Sequence, residues 1–244
     1  ILFQEIDNIL GIDPQGVESL LNLRVQESVS PLLEGTYLGM NLSAHALYTS
    51  YRDCVQILSR LESERIKADQ EILTLLDLGA GIGRLTLTAA IFFPHIKVVS
   101  VEVVKERLNL AQEALKTIGH KKPFHLYHKN FKEIGSEKEE SEFKILFESF
   151  DSIFLYLSTN PSFKFLMEQL KKRAMQKPFS AIAVESHGDL ISTLKKDSPW
   201  LLKKDLTLKS NSKRWSENIC LFQSLPVKKL KLLQKEEDDL FQKL

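Results

Sequence analysis

The chain has 244 residues, 43% hydrophobic and 27% charged, with a formal net charge of +1. That length supports one substantial core, a single large domain with an accessory segment, and the near-neutral charge excludes a global field steering the protein to nucleic acid or membrane. Cys54 and Cys220 stand far apart in no metal-like spacing, which excludes a disulfide framework and fits a reducing compartment, the cytoplasm being the expected location. The longest apolar stretches are cut by Pro94, Glu148 or Asp151 before reaching membrane-spanning length, so neither a transmembrane helix nor a signal peptide is expected.

Residues 1 to about 47 read as helical and irregular: in "DPQGVESLLNLRVQESVSPLLE", Asp13 is an N-cap with Pro14 at the first helical position, and the glycines of "EGTYLGMNLS" then break the pattern. Helical spacing resumes in "SYRDCVQILSRL", with Cys54, Ile57, Leu58 and Leu61 on one face. From "EILTLLDLG" the rhythm alternates: a strand over 72 to 78, a helix over about 83 to 93 stopped by Pro94, the strand "IKVVSVE", and the helix "VKERLNLAQEALKTIG" closed by Gly119. This alternation predicts a parallel sheet with crossover helices. It continues through the strand "FHLYH", a Lys/Glu-rich exposed loop or short helix, the strand "DSIFLYL", the helix "PSFKFLMEQLKKRAMQK" and the strand "FSAIAVES". "KKDLTLKS" and "NICLFQSL" then alternate as two antiparallel strands, and the tail from Val227 is an amphipathic helix.

"LLDLGAGIGRL" ends a strand in three glycines, Gly79, Gly81 and Gly83, behind an acid, Asp77. In an open parallel sheet, ligands bind outside the carboxyl ends of the strands. Glycine is required there when a ligand presses on the backbone or a position needs positive φ. Arg84 stands where the dinucleotide fingerprint G-x-G-x-x-G would continue, which counts against a nicotinamide-dependent dehydrogenase, and the phosphate-cradling P-loop pattern is absent. Glu102 ends the next strand about 20 residues beyond the loop, where a carboxylate can accept both hydroxyls of a ribose.

"LLDLGAGIGR" followed by "VVSVEVVKERL" resembles the first two motifs of the class I S-adenosylmethionine-dependent methyltransferases, over roughly residues 45 to 225. The resemblance implies a Rossmann-like α/β fold, with a mixed, mostly parallel seven-strand sheet and helices on both faces. It also divides the chain into a helical N-terminal extension or cap (1–47), the methyltransferase domain (48–225) and a C-terminal helical tail (226–244). It implies S-adenosyl-L-methionine as cofactor: Gly79, Gly81 and Gly83 let the backbone approach its methionine half, Asp77 lies near the amino group, Glu102 holds the ribose with Val103 beside it, and Asn130 and Phe131 meet the adenine. Asn130 replaces the family's commoner Asp, and its amide oxygen can accept the same hydrogen bond.

The acceptor side follows the fourth strand. Asn160-Pro161-Ser162-Phe163 is similar to the Asn/Asp-Pro-Pro-Tyr/Phe motif of amino-methyltransferases, but it stands late after Asp151, and Asn160 reads more naturally as the cap of a helix begun by Pro161. "DSIFLYLST", with "ALYTSYRDCVQIL" ahead of the glycine loop, is similar to non-SET protein-lysine methyltransferases, which include the disruptor-of-telomeric-silencing type and its mitochondrial and prokaryotic relatives. Tyr48, Thr49 and Ser50 occupy the place of an aromatic and a Thr or Ser that family members carry before the helix leading to the first strand. A lysine acceptor needs its ammonium deprotonated and desolvated, and Tyr156, at the strand end, is the candidate to line such a channel, equally readable as a core tyrosine. Tyr156 and Asn160 are thus the catalytic candidates, and a protein side chain, lysine first, is the expected acceptor.

His125 and His128 are three apart on a strand, pointing to opposite faces, so no metal site is expected. Glu185, Ser186 and His187 end the fifth strand as an ordinary turn or a substrate-side group. The C-terminal lysines, among them Lys203, Lys204, Lys228, Lys229 and Lys231, form either a solvated face or a nucleic-acid-binding patch. A nucleic-acid or small-molecule methyltransferase and a non-catalytic cofactor-binding scaffold remain the alternatives, and no membrane partner is expected.

Overall fold

The computed structural model describes residues 2–27, 49–120, 125–129, 141–156, 161–185, 190–209 and 218–241. Two helices, α1 (Leu2–Ile9) and α2 (Pro14–Glu27), precede α3 (Tyr51–Lys67). Then β1 (Leu73–Leu78), α4 (Arg84–Phe92), β2 (Ile96–Glu102), α5 (Lys105–Thr117) and β3 (His125–His128) form the first half of an α/β unit. The second half comprises α6 (Ser141–Ser149), β4 (Ser152–Leu155), α7 (Pro161–Ala174), β5 (Ser180–Glu185) and α8 (Leu190–Asp197). It closes with β6 (Leu201–Lys209), β7 (Asn218–Ser224) and α9 (Val227–Phe241).

The strands make one seven-stranded sheet in the order β3-β2-β1-β4-β5-β7-β6. β7 runs antiparallel to both its neighbours and every other pair is parallel. Chain order reverses between β1 and β4, so the loops after these strands face the crevice where such sheets take their ligands. The expected mixed sheet and its two late antiparallel strands are therefore observed.

Local chemistry explains the helix starts. Asp13 Oδ1 accepts the Gly16 N–H at 2.9 Å just ahead of Pro14, and Ser50 Oγ accepts the Asp53 N–H at 3.1 Å ahead of Tyr51. α7 begins at Pro161, the position where a missing N–H does no harm. α5 is followed by Gly119 at a φ of 67°.

Helices cover both faces of β1, β2, β4 and β5, which is why these strands read as continuous apolar runs rather than alternating ones. On one face an edge-to-face chain of rings, Phe147, Phe150, Phe179 and Trp200, fills the core with centroids 5.7, 5.0 and 6.2 Å apart. Leu230 of α9 belongs to the same cluster and is fully buried. On the other face Cys54, Ile57, Leu58 and Leu61 of α3 pack on Leu75 and Phe154. A third cluster joins Leu10 and Ile12, between α1 and α2, to Ile82, Leu87, Ala114 and Leu115. Among the described residues no helix is long and apolar enough to cross a membrane. Replacing Phe179, 1% exposed at the centre of the ring chain, by Ala is expected to lower unfolding free energy by about 3–5 kcal/mol in denaturant titrations, whereas the same change at exposed Phe92 stays within about 0.5 kcal/mol.

Candidate active site

The segment after β1 is stitched to the end of β2. The N–H groups of Gly79 and Ala80 both donate to the Val101 carbonyl, at 2.9 and 3.0 Å, and the Gly81 N–H donates to Glu102 Oε2 at 2.8 Å. Gly79, Gly81 and Gly83 all have positive φ, 80°, 56° and 75°, so a side chain at any of them would be strained. Gly83 has a further reason to be glycine: a Cβ there would lie 2.6 Å from the Ala111 Cβ of α5. Its demand comes from helix packing, while Gly79 and Gly81 shape the loop itself.

Glu102 is 4% exposed and acts as the junction of this edge. Besides the Gly81 N–H on Oε2, its Oε1 accepts the N–H groups of Val103 and Val104 at 2.9 Å each, which satisfies the backbone leading into α5. Arg107 Nη1 stands 3.8 Å from Oε1. A carboxylate offers about four lone-pair sites. Three are taken by backbone donors, leaving Oε2 with acceptor capacity for a ligand hydroxyl.

Asp77 ends β1 beside this junction and is 2% exposed, yet its Oδ1 has no hydrogen-bond partner. Burial, and secondarily the Glu102 charge, raise its carboxyl from the ordinary 3.8 to about 8. Thr49, Gly79, Ala80, Arg84, Leu85, Phe154 and Tyr156 line a cleft with it. A desolvated carboxyl with an unsatisfied oxygen, walled by apolar and aromatic groups, suits a ligand that brings a positive charge to that oxygen. Asp77 Oδ1 thus fits a ligand ammonium and Glu102 Oε2 a hydroxyl.

Of the residues picked from sequence, Asp77, Gly79, Thr49 and Tyr156 meet in this cleft, while Gly81 and Glu102, hydrogen-bonded to each other at 2.8 Å, are not part of its lining. Val103 is half-buried on the turn after β2, its carbonyl 2.8 Å from the ring Nε2 of exposed His128. Gly83 faces α5. Tyr48, Asn130, Phe131 and Asn160 lie outside the described residues, as do Ser186 and His187. No group of three or more potential metal ligands occurs among the described residues.

Sequence reasoning missed four charged side chains. Arg84 is buried: its Nη2 donates to Asp7 Oδ2 of α1 at 2.5 Å and its guanidinium lies 5.1 Å from the Tyr51 ring centroid. The Tyr51 hydroxyl donates to Asp7 Oδ1 at 2.8 Å. Arg107 donates through Nε and Nη2 to the two oxygens of Glu18 of α2, both at 2.8 Å. Arg84 was visible beside the glycines, but nothing local marks Asp7 or Glu18, whose partners are 77 and 89 residues away.

The sequence signature described as the methyltransferase domain matches residues 69–242, and the chain belongs to that family. No curated protein matches it in sequence. Among solved structures it is similar to magnesium protoporphyrin IX methyltransferase from Synechocystis PCC 6803 with bound S-adenosylmethionine, at 12% identity over 72% of this chain and 79% of that one, TM-score 0.50. It is also similar to precorrin-6y C5,15-methyltransferase from Geobacter metallireducens GS-15 (13% identity, 73% and 90% covered, TM-score 0.49) and to an rRNA methylase from Streptococcus thermophilus (12%, 64% and 88%, TM-score 0.46). At 12% identity, the first of these speaks for the shared fold alone. With the family match, the protein is a class I S-adenosylmethionine-dependent methyltransferase.

Asp77 also makes a stability prediction for the ligand-free protein. Its folded value lies above the unfolded one, so folding favours the protonated carboxyl: the penalty is absent below about pH 3.8, grows as pH rises toward about 8, and is constant above. Asp77→Asn removes it. Thermal melts of the ligand-free variant are expected to gain on the wild type steadily between those pH values, and equal melting temperatures throughout would contradict the burial-driven shift.

Proposed function

We propose that the cleft between Asp77, the glycine loop and Glu102 holds S-adenosylmethionine and presents its methyl group to a nitrogen of a protein side chain, lysine first. Asp77 Oδ1 receives the cofactor's ammonium, Glu102 Oε2 a ribose hydroxyl, and Gly79 and Gly81 let the backbone approach the methionine half. Val103 lies beside the nucleoside, Asn130 and Phe131 meet the adenine, and Tyr48 adds to the cofactor's surroundings next to Thr49. Bound there, the cofactor supplies an electrophilic methyl on a sulfonium sulfur.

The chain's own task is then to align the acceptor nitrogen, which has first lost its proton to solvent, and to keep water from the reacting centre. Half-buried Tyr156 and buried Phe154 and Leu85 provide apolar and aromatic wall at the cleft, which lowers the acceptor ammonium's pKa by desolvation. Asn160, ahead of α7, is assigned to the acceptor mouth. The observation that carries the lysine acceptor is that Thr49 and Tyr156, from segments 107 residues apart by number, line one cleft with Asp77.

A nucleic-acid acceptor is the second reading, favoured by the exposed lysines Lys195, Lys196, Lys203, Lys204, Lys228 and Lys229. The two part in one assay. Methyl-labelled cofactor incubated with the protein and cell lysate is expected to leave label in protease-sensitive material that yields methyl-lysine on hydrolysis. Nuclease-sensitive label would move the nucleic-acid acceptor to the front, and cofactor binding without any transfer would indicate a scaffold.

Two further outcomes follow for this site. Because Asp77 must ionise to receive an ammonium, S-adenosylhomocysteine affinity should rise with pH by up to about tenfold per unit below its free value near 8, and this slope should vanish in Asp77→Asn. Tyr156→Ala, which removes the aromatic wall, should lower kcat by roughly tenfold while changing S-adenosylhomocysteine affinity less; an unaltered rate and acceptor affinity would return Tyr156 to the core.

A further inference from the structure

Two buried ion pairs fasten the N-terminal helices to the residues that flank the cofactor cleft. Glu18 of α2 is fully buried and receives both N–H groups on one edge of the Arg107 guanidinium at 2.8 Å. That pairing aims the remaining nitrogen, Nη1, at Glu102 Oε1 but leaves it 3.8 Å away, beyond direct hydrogen-bond reach. Asp7 of α1 plays a parallel part, receiving Arg84, which follows the glycine loop, and Tyr51, two residues past Thr49. Leu10 and Ile12 add apolar contact with Ile82, inside the loop. Buried ion pairs are weak evidence for stability as such, since apolar pairs of similar volume often serve a fold as well. Here both pairs end on residues of the cofactor edge.

We propose that α1 and α2 are a working part of the cofactor site. Glu18, through Arg107, positions the Glu102 carboxylate, and Asp7, through Arg84, positions the glycine loop, so that docking of residues 2–27 and cofactor binding strengthen one another. The inference rests on Glu102 as the ribose-binding acid. Glu18 and Asp7 are positioning residues that touch no cofactor themselves. The coupling is reciprocal by thermodynamic necessity: whatever factor the docked helices contribute to cofactor affinity, bound cofactor returns to their docking.

The test is hydrogen exchange on the intact wild-type protein with and without saturating S-adenosylhomocysteine, beside calorimetric affinities for Glu18→Gln, Glu18→Asp and Glu102→Gln. Backbone amides within 2–27 are expected to exchange more slowly with ligand, by roughly the 5- to 150-fold typical of coupled sites. Glu18→Gln should raise the Kd within that same range, with Glu18→Asp closer to wild type. If Glu102→Gln weakens binding while Glu18→Gln does not and amides within 2–27 are unchanged, the coupling is overturned and the ribose assignment stands. If Glu102→Gln leaves affinity unchanged, the ribose assignment fails and the coupling falls with it. Should Glu18→Gln fold poorly, exchange in the wild type decides alone: protection confined to the loop after β1 overturns the proposal.

Discussion

The Glu102 carboxylate organises this edge of the molecule. Its two oxygens collect the N–H groups of Gly81, Val103 and Val104, so that one side chain closes the loop after β1 and satisfies the backbone that leads into α5. Remove it and three donors, two of them buried, lose their acceptor, at a cost of about 1–3 kcal/mol for each buried one. The same carboxylate stands between Asp77, whose proton it helps retain, and Arg107, whose orientation Glu18 fixes. Loop geometry, charge and the N-terminal helices therefore meet at one residue.

Asp77 shows the opposite arrangement. Burying a carboxyl with an oxygen left unsatisfied is unfavourable for the free protein, and such features persist where a ligand later supplies the missing partner. The surrounding core is well suited to tolerate it: β1 is buried at every position but Thr74 and held by parallel neighbours on both sides. Gly83, without a Cβ, admits the close approach of α5 that any larger residue would block.

The sheet was legible because its signals are local. Apolar runs of strand length, helical spacing between them and glycines at the turns specified the order of elements, and the spacing from Asp77 to Glu102 marked the sheet edge where the candidate site lies. Gly83 shows the limit of such inference. Sequence grouped it with the ligand-facing glycines, and only the fold reveals Ala111 against it. Asp7 and Glu18 were illegible, because a carboxylate in an amphipathic helix looks solvent-facing until the chain brings an arginine to it from 77 or 89 residues on. The acceptor side was the least readable: methyltransferases share the cofactor half and vary the rest, so Tyr156 carried no pattern beyond its place at a strand end.

The most direct test of this account is a crystal structure of the protein with S-adenosylhomocysteine. The account predicts one ribose hydroxyl within hydrogen-bond distance of Glu102 Oε2, with the Gly81 N–H still donating to it, and the amino group on Asp77. A nucleoside bound away from Glu102, with Asp77 still lacking a partner, would contradict it.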